Sequence, residues 1–278
     1  MMRLLKALSS GDFELVSVPD DNPPSYAILS HTWNKDQEVT YSELIAGTYR
    51  GKTGFAKIRF CVDRAANDGV DYCWVDTCCI DKSDSAELST AINSMFRYYQ
   101  RANKCYVYLS DVRVPEEVTD ARAFRITWET AFRQSRWFTR GWTLQELLAP
   151  PVVEFFSESG KLLGSKISLE RDIHDITKLP IEVLRGQQRF STFSFEERLG
   201  WAARRTTTLK EDKVYCLLGI FGVFLPLIYG EGEVYATERL KDEITRRQEG
   251  QGIKNLQDLI GTASSIVFLF IVLAANNI

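Results

Sequence analysis

The stretch VDYCWVDTCCIDKSDSAELSTAINSMFRYYQRANKCYVYLSDV, residues 70–112, decides the fold. It starts with a short apolar run that ends in polar residues at 81, continues as an amphipathic segment over 85–104, and finishes with a second apolar run. Short apolar runs bounded by turn residues are typical of buried strands, and apolar residues three and four apart are typical of a helix. The stretch therefore predicts a strand, a helix and a second strand.

The same alternation continues on both sides of this stretch. Upstream, YAILSHTW (26–33) predicts a buried strand, and GFAKIRFCVDRAANDG (54–69) predicts a helix that Gly69 caps. Downstream, residues 119–137 predict a helix and PVVEFFS (151–157) a fourth strand. Strands that alternate with helices favour an α/β fold, so we expect a mostly parallel, Rossmann-like sheet flanked by helices.

After residue 160 the pattern becomes helical. Four segments read as helices: SLERDIHDITKL (168–179), SFEERLGWAARR (194–205), the long apolar DKVYCLLGIFGV (212–223) and the polar VYATERLKDEITRRQEG (234–250). We therefore expect an α/β domain over residues 1–160 and a helical subdomain over 161–249, followed by an atypical tail over 250–278.

Composition excludes several classes of protein. The formal net charge is only −3, whereas nucleic-acid binders carry clustered Lys and Arg, so we expect no nucleic-acid partner. The N-terminus MMRLLKALSSGDFELV lacks the apolar run of a signal peptide, which favours the cytoplasm and thiols for the six cysteines. With two His and no C-x-x-C pair, we expect no metal site.

The tail contains ten uninterrupted apolar residues, 266–275. A membrane-spanning helix needs about 20 predominantly apolar residues, so this run is short for one. The segment ASSIVFLFIVLAANNI, residues 263–278, is compatible with a marginal membrane contact, an aggregating strand or a buried terminal segment. The sequence does not decide among these.

Polar side chains follow the predicted strands and predict a pocket. Open parallel sheets bind ligands beyond the carboxyl ends of their strands. The alternative is that these residues only cap the following helices. The candidate residues for the pocket are Ser30, His31 and Trp33 after the first strand, Asp76, Cys78 and Asp81 after the second, and Ser110 after the third.

The stretch RWFTRGWTLQELLAP, residues 136–150, supplies the candidate catalytic group. Trp142 and Glu146 are four residues apart, which puts them one turn apart on one helix face, and Gly141 permits a sharp turn before them. A lone carboxylate beside an indole suits stabilisation of an oxocarbenium-like transition state. The alternative is that Glu146 only pairs with Arg136 or Arg140.

Two other kinds of catalytic site receive weak support from the sequence, and a third is disfavoured. AGTYRGKT (46–53) imitates a phosphate-binding loop but lacks its first Gly and a buried strand before it. His31, Cys78 and Asp76 suggest a Cys–His nucleophile, although no nucleophile elbow is present. No G-x-G-x-x-G motif occurs, which disfavours a hydride-transfer dehydrogenase.

Three long motifs together resemble the fungal heterokaryon-incompatibility (HET) domain. These are YAILSHTW, YCWVDTCCIDKSDSAELSTAINSMFRYYQRANKCYVYLSDV and SRWFTRGWTLQELLAP, and the resemblance continues to about residue 248. It departs at Asn34, where the family usually has Gly, and at Gly222, where Asp is common. The resemblance implies a cytoplasmic protein that triggers cell death when genetically different fungal cells fuse, together with other incompatibility proteins.

GWTLQEL also resembles the W-C-x-x-E-L element of TIR domains, with Thr143 in place of Cys. That resemblance implies a TIR-like fold in which Glu146 cleaves NAD as a substrate, with no cofactor. The nine substrate-binding candidates are then the seven strand-end residues together with Arg140 and Trp142.

Two other functions compete with NAD cleavage, so whether the chain is an enzyme stays open. In the first, the α/β domain is a non-catalytic death-signalling module that acts by self-association, and Glu146 is an interface or structural residue. In the second, the chain acts on membranes through residues 263–278.

Overall fold

A seven-stranded sheet forms the centre of the computed structural model, which describes residues 1–10, 12–115 and 120–250. The strand order is β2-β1-β4-β3-β5-β6-β7. The strands are β1 Met2–Ala7, β2 Phe13–Val18, β3 Tyr26–His31, β4 Tyr72–Trp74, β5 Lys104–Tyr108, β6 Val153–Phe156 and β7 Leu162–Ser165.

Helices connect strands β3, β4, β5 and β6, and further helices follow β7 in the described residues. They are α1 Tyr41–Ala46, α2 Gly54–Asn67, α3 Ser85–Arg101, α4 Ala121–Gln134, α5 Thr143–Leu148, α6 Glu170–Thr177, α7 Ile181–Leu184, α8 Phe195–Gly200, α9 Asp212–Tyr215, α10 Leu218–Phe221 and α11 over residues 232–250. Two short 3-10 helices span Arg136–Thr139 and Phe190–Thr192.

The predicted α/β class is confirmed, but the expected mostly parallel, Rossmann-like sheet is not confirmed. Strands β4, β3, β5 and β6 run parallel, as the alternation predicted. The N-terminal hairpin β1–β2 adds antiparallel strands at one side, and β7 adds one at the other. The sheet is therefore mixed.

Helix α3 illustrates how local sequence sets an element boundary. It begins at Ser85, and the carboxylate of Asp84 accepts hydrogen bonds from the backbone N–H groups of Ala86 and Glu87. Asp84 is therefore the N-cap, the residue just outside the helix whose side chain bonds to the first free N–H groups. Gly69 follows α2 with a φ of 73°, a left-handed conformation that glycine adopts without steric cost.

The apolar segment 212–223 forms two short helices, α9 and α10, instead of the one long helix predicted. Leu217 lies between them with a φ of −101°, outside the range of a regular helix. At Gly219 an added Cβ would lie 2.0 Å from Cβ of Phe96 on α3. The break therefore lies beside a position where α10 approaches α3 too closely for a side chain.

One hydrophobic core joins the two parts of the chain. It contains Leu144 and Phe155 from before residue 160, and Ile173, Leu184 and Leu217 from after it. The boundary expected near residue 160 remains a prediction, and the expected tail contact over 263–278 lies outside the described residues. Within the described ranges, no helix combines the length and apolar character needed to cross a membrane.

Candidate functional site

Glu146 lies on α5, 8% exposed, beside the carboxyl end of β3. The hydroxyl of Ser30, the fifth residue of β3, donates a hydrogen bond to Oε2 of Glu146. The indole Nε1 of Trp137 donates to the same hydroxyl oxygen over 2.7 Å. A serine from the sheet and a tryptophan from the 3-10 helix therefore fix one buried carboxyl group.

The arginines expected as alternative partners of Glu146 are used elsewhere. Nε of Arg136 lies 3.8 Å from the carboxylate of Asp111, and the backbone N–H of Arg136 donates to that carboxylate. The Arg140 side chain donates to the hydroxyl of Thr208. No ion pair in the described part of the chain neutralises Glu146.

Burial is the largest influence on the pKa of the Glu146 carboxyl group. Loss of hydration raises the pKa of Glu146 to about 8, and the negative charge of Asp76 acts in the same direction. Hydrogen bonding from Ser30 and the positive charge of Arg205 oppose that increase, as does the hydroxyl of Tyr99. At neutral pH the group is therefore mostly a neutral acid when no ligand is present.

This pKa predicts a pH-dependent stability that Glu146→Gln removes. The folded-state pKa of about 8 exceeds the ordinary 4.5, so the stabilisation is complete below about pH 4.5 and is lost as pH rises through 8. Between pH 5 and 9 the parent should lose a few kcal/mol of unfolding free energy relative to Glu146→Gln, on the order of the linkage value. Urea unfolding at several pH values measures this, and parallel stability curves for the two proteins would refute it.

A second polar cluster lies beside Ser30 at the ends of β3 and β4. Nε2 of His31 lies 3.2 Å from Oδ1 of Asp76, while Nε1 of Trp33 donates to Oδ2 over 3.1 Å. Burial raises the pKa of Asp76, but Lys82, His31 and Trp33 outweigh it, so this pKa lies below its ordinary value. The cluster therefore places the charged carboxylate of Asp76 near the neutral carboxyl group of Glu146.

Two residues of this cluster were missed in the sequence. Glu38 lies 3.7 Å from Nδ1 of His31 and pairs with the buried ammonium group of Lys57, which also donates to the carbonyl oxygen of Thr32. Glu38 stands seven positions after His31, in a polar loop, and Lys57 lies on α2. The signal available was an acidic residue in the loop that follows a predicted site strand.

Trp33 offers a flat surface at the edge of the cluster. Its side chain is 49% exposed although its indole N–H is bonded to Asp76. The ammonium group of Lys82 lies 3.6 Å from the ring centroid, within the range of a cation–π interaction. An exposed ring held in one orientation can stack with a planar group of a ligand.

The other predicted residues have local roles. Cys78 is buried, and its contact with Cys79 together with burial raises the pKa of the thiol, so it is a poor nucleophile. Asp81 accepts hydrogen bonds from the backbone and hydroxyl of Ser83 in a turn. Ser110 is half-buried beside Asp111, whose carboxylate holds the start of the 3-10 helix.

Trp142, the second tryptophan of the stretch 136–150, has a different neighbour from the one expected. The Trp142 side chain acts on Asp212 in the C-terminal part of the chain, where it opposes the increase that burial causes in the pKa of that carboxyl group. Trp137 is the indole linked to Glu146 through Ser30. Gly141 has no left-handed φ; an added Cβ there would lie 2.4 Å from Cγ2 of Thr207. Close approach of residues 206–207, not a sharp turn, therefore accounts for this glycine.

The carboxyl group of Glu146 is closed off from solvent in this structure, since the residue is only 8% exposed. Two surface clefts of the described residues, of about 560 and 370 Å³, do not include Glu146, Ser30 or Trp33. The larger lies between residues 207–213 and 231–235. The described ranges contain no group of three His, Cys, Asp or Glu side chains arranged to hold a metal ion. Because Glu146 is buried, a substrate can reach its carboxyl group only after neighbouring side chains move.

Comparison with known proteins identifies the class. Residues 26–125 match the model of the family described as heterokaryon incompatibility protein (HET). The chain belongs to this family, since it is 52% identical over 245 residues, 87% of its length, to the vegetative incompatibility protein HET-E-1 of Podospora anserina. It spans only 18% of the length of that relative. No solved structure matches the chain.

The family assignment confirms the resemblance to the HET domain. The family match ends at residue 125, before the 3-10 helix and α5, so it does not include Glu146. The resemblance of GWTLQEL to TIR domains therefore remains a prediction that depends on the chemistry of the site.

Proposed function

We propose that this chain is the HET-domain portion of a fungal vegetative incompatibility protein, and that it triggers cell death in the cytoplasm by cleaving NAD. Glu146 is the catalytic carboxylate. The observation that carries the proposal is the buried Glu146 carboxyl, held by Ser30 at the carboxyl end of a parallel strand. Ligands of open α/β sheets bind at this edge.

The reaction needs one carboxylate and one water molecule. The bond between nicotinamide and ribose breaks with its electron pair leaving on the nicotinamide nitrogen, so neutral nicotinamide departs and the ribose becomes an oxocarbenium-like cation. Water adds to that carbon and loses a proton, and the products are nicotinamide, ADP-ribose and H⁺. The Glu146 carboxylate stabilises the cation and orients the water.

The neutral form of Glu146 in the free protein is compatible with a catalytic role, because a bound substrate changes its protonation. Burial keeps the free carboxyl mostly neutral at pH 7 because its pKa is about 8. The positively charged nicotinamide ring of NAD favours the carboxylate when it lies beside it. Binding of the substrate then promotes the charged form that the reaction requires.

The polar cluster supplies substrate contacts in this proposal. Trp33 stacks with a ring of the nucleotide, and the Asp76–His31 pair bonds to ribose hydroxyl groups. These roles rest on the exposed indole and on the two carboxylates that flank His31. NAD is a substrate here, so no separate cofactor takes part.

A second function is favoured by the closed state of the site. Glu146 is 8% exposed, and neither cleft reaches it, which also suits a non-catalytic module that signals by self-association. In that case Glu146 stabilises the fold around Ser30 and recruits no substrate. Other incompatibility proteins are the partners in both proposals.

Release of nicotinamide from NAD by the purified full chain tests the proposal. Chromatography separates nicotinamide and ADP-ribose, and a series of protein concentrations detects an activity that needs self-association. We expect both products in equal amounts. An absence of nicotinamide at every concentration, with a folded protein, would favour the signalling function instead.

A further inference from the structure

Helix α5, which carries Glu146, is bound at its N-terminal end by a buried arginine from far along the chain. Nη1 of Arg205 donates to the carbonyl oxygen of Arg140 over 2.9 Å and to the hydroxyl of Thr143 over 2.8 Å. Arg205 is 5% exposed, and loss of hydration lowers the pKa of its guanidinium to about 10. Burial of a cation is costly, so these contacts offset a substantial penalty.

The C-terminal end of α5 is bound by a buried lysine. Nζ of Lys166 donates to the carbonyl oxygen of Leu147 over 3.2 Å and to that of Pro150 over 2.8 Å. Lys166 is 5% exposed, just after β7, and burial lowers its pKa to about 8. Cationic groups at a helix C-terminus satisfy carbonyl groups that lack partners within the helix.

A chain of hydrogen bonds connects the arginine to the carboxyl group of Glu146. Besides accepting from Arg205, the Thr143 hydroxyl bonds to the carbonyl oxygen of Trp137 over 2.6 Å. The indole of Trp137 then donates to Ser30, whose hydroxyl donates to Glu146. Displacement of Arg205 therefore affects both the helix and the side chains that hold the carboxyl.

The contacts of these two cations are concentrated on α5 and its flanking residues. Both come from residues after 160, whereas Glu146, Ser30 and Trp137 come from residues before it. The side-chain hydrogen bonds of Arg205 go to residues 140 and 143, and those of Lys166 go to residues 147 and 150. Their arrangement fits one helix held at both ends.

We propose that Arg205 and Lys166 are positioning residues that fix the Glu146 carboxyl group by clamping the two ends of α5, so that residues after 160 complete the site. The catalytic role of Glu146 rests on the proposed function, whereas the clamp rests on geometry alone. The segment after the sheet is then part of the active unit and not a separate module.

Arg205→Met and Lys166→Met in the full chain test the clamp, with Arg198→Met as the matched control. Arg198 is also a buried arginine from the C-terminal part, but it donates to the carbonyl oxygens of Ser194 and Ile220. Thr143→Val is a second variant, since it removes one of the two acceptors of Arg205 and leaves both cations in place.

Two measurements apply to these variants and neither requires NAD turnover. Amide hydrogen exchange reports the opening of residues 140–150, and carbon-13 NMR of labelled glutamate follows protonation of Glu146. We expect roughly tenfold faster exchange over α5 in Arg205→Met, Lys166→Met and Thr143→Val, as expected when local opening costs less free energy. In Arg205→Met the midpoint of Glu146 titration should also move to higher pH, because an attractive positive charge is removed.

Arg198→Met should change neither α5 exchange nor the Glu146 midpoint. Exchange over 140–150 that stays at the parental rate in the folded variants would overturn the clamp, whether or not the parent cleaves NAD. If Arg205→Met does not fold, Thr143→Val and Lys166→Met decide the question. Where the parent is active, the folded clamp variants should lower kcat about tenfold with little change in KM, which is the pattern for misplaced catalytic groups.

Discussion

Glu146→Gln is expected to slow nicotinamide release from NAD by at least about 100-fold, the scale found when one electrostatic stabiliser of a transition state is removed. The amide accepts the hydrogen bond from Ser30 but carries no negative charge, so it cannot stabilise a ribosyl cation. In the parent, kcat/KM should rise with pH and level off above about 8, because the active carboxylate has a pKa of about 8 in the free protein. Initial rates with purified proteins measure both effects.

A control substitution of another glutamate distinguishes loss of the Glu146 charge from a general effect of replacing a carboxylate. Glu129→Gln changes a half-buried glutamate on α4 that pairs with Arg125, away from the site, and should keep the parental rate. Thermal unfolding must show that Glu146→Gln remains folded. Full activity in a folded Glu146→Gln protein would remove this residue from the chemistry.

Gly219→Ala is expected to cause one of the largest losses of stability available from a single methyl group. The new Cβ would lie 2.0 Å from Cβ and 2.3 Å from Cγ of Phe96, so α10 and α3 must move apart. Overpacking of this kind costs about 1–3 kcal/mol, which exceeds the gain of up to about 1 kcal/mol from replacing Gly in a helix. Because the contact is so close, we expect a cost near the upper end of that range, a net loss of about 2 kcal/mol and a fall in Tm of several degrees, roughly 2–4 °C per kcal/mol.

Gly200→Ala is the control for this change. Gly200 ends α8, and an added Cβ there meets no atom within 4 Å. That variant should be as stable as the parent or slightly more stable. Differential scanning calorimetry compares the two variants, and equal Tm values for both would contradict the close packing of α10 against α3.

The parallel centre of the sheet was predictable because its strands and helices follow local patterns. Residues Tyr26–His31 are all buried, which is why this strand begins with a continuous apolar run over residues 26–29. The N-terminal strands β1 and β2 are only partly buried, and their place depends on pairing between residues as distant as Leu5 and Cys73. Partly buried strands whose place depends on such distant pairing lack a strong local signal, so the antiparallel edges were missed.

Individual residues of the site were predictable from the sequence, but most of the contacts between them were not. Ser30 was a candidate because it lies at the end of a predicted strand, and Glu146 because it lies one helical turn from Trp142 and matches the TIR element. The topology brings these two residues together across 116 positions. The choice between Trp137 and Trp142 depends on the 3-10 helix, which has no distinctive sequence pattern. Arg205 and Lys166 look like ordinary surface cations in the sequence, since burial of a cation depends on contacts between distant segments.

The NAD content of yeast cells that express the full chain, followed over time beside cells that express Glu146→Gln at the same level, tests the central claim most directly. Cleavage of NAD by Glu146 predicts that NAD falls before viability is lost, and only in cells with the parent protein. Cell death at steady NAD in the parent, or equal death in both strains, would contradict it.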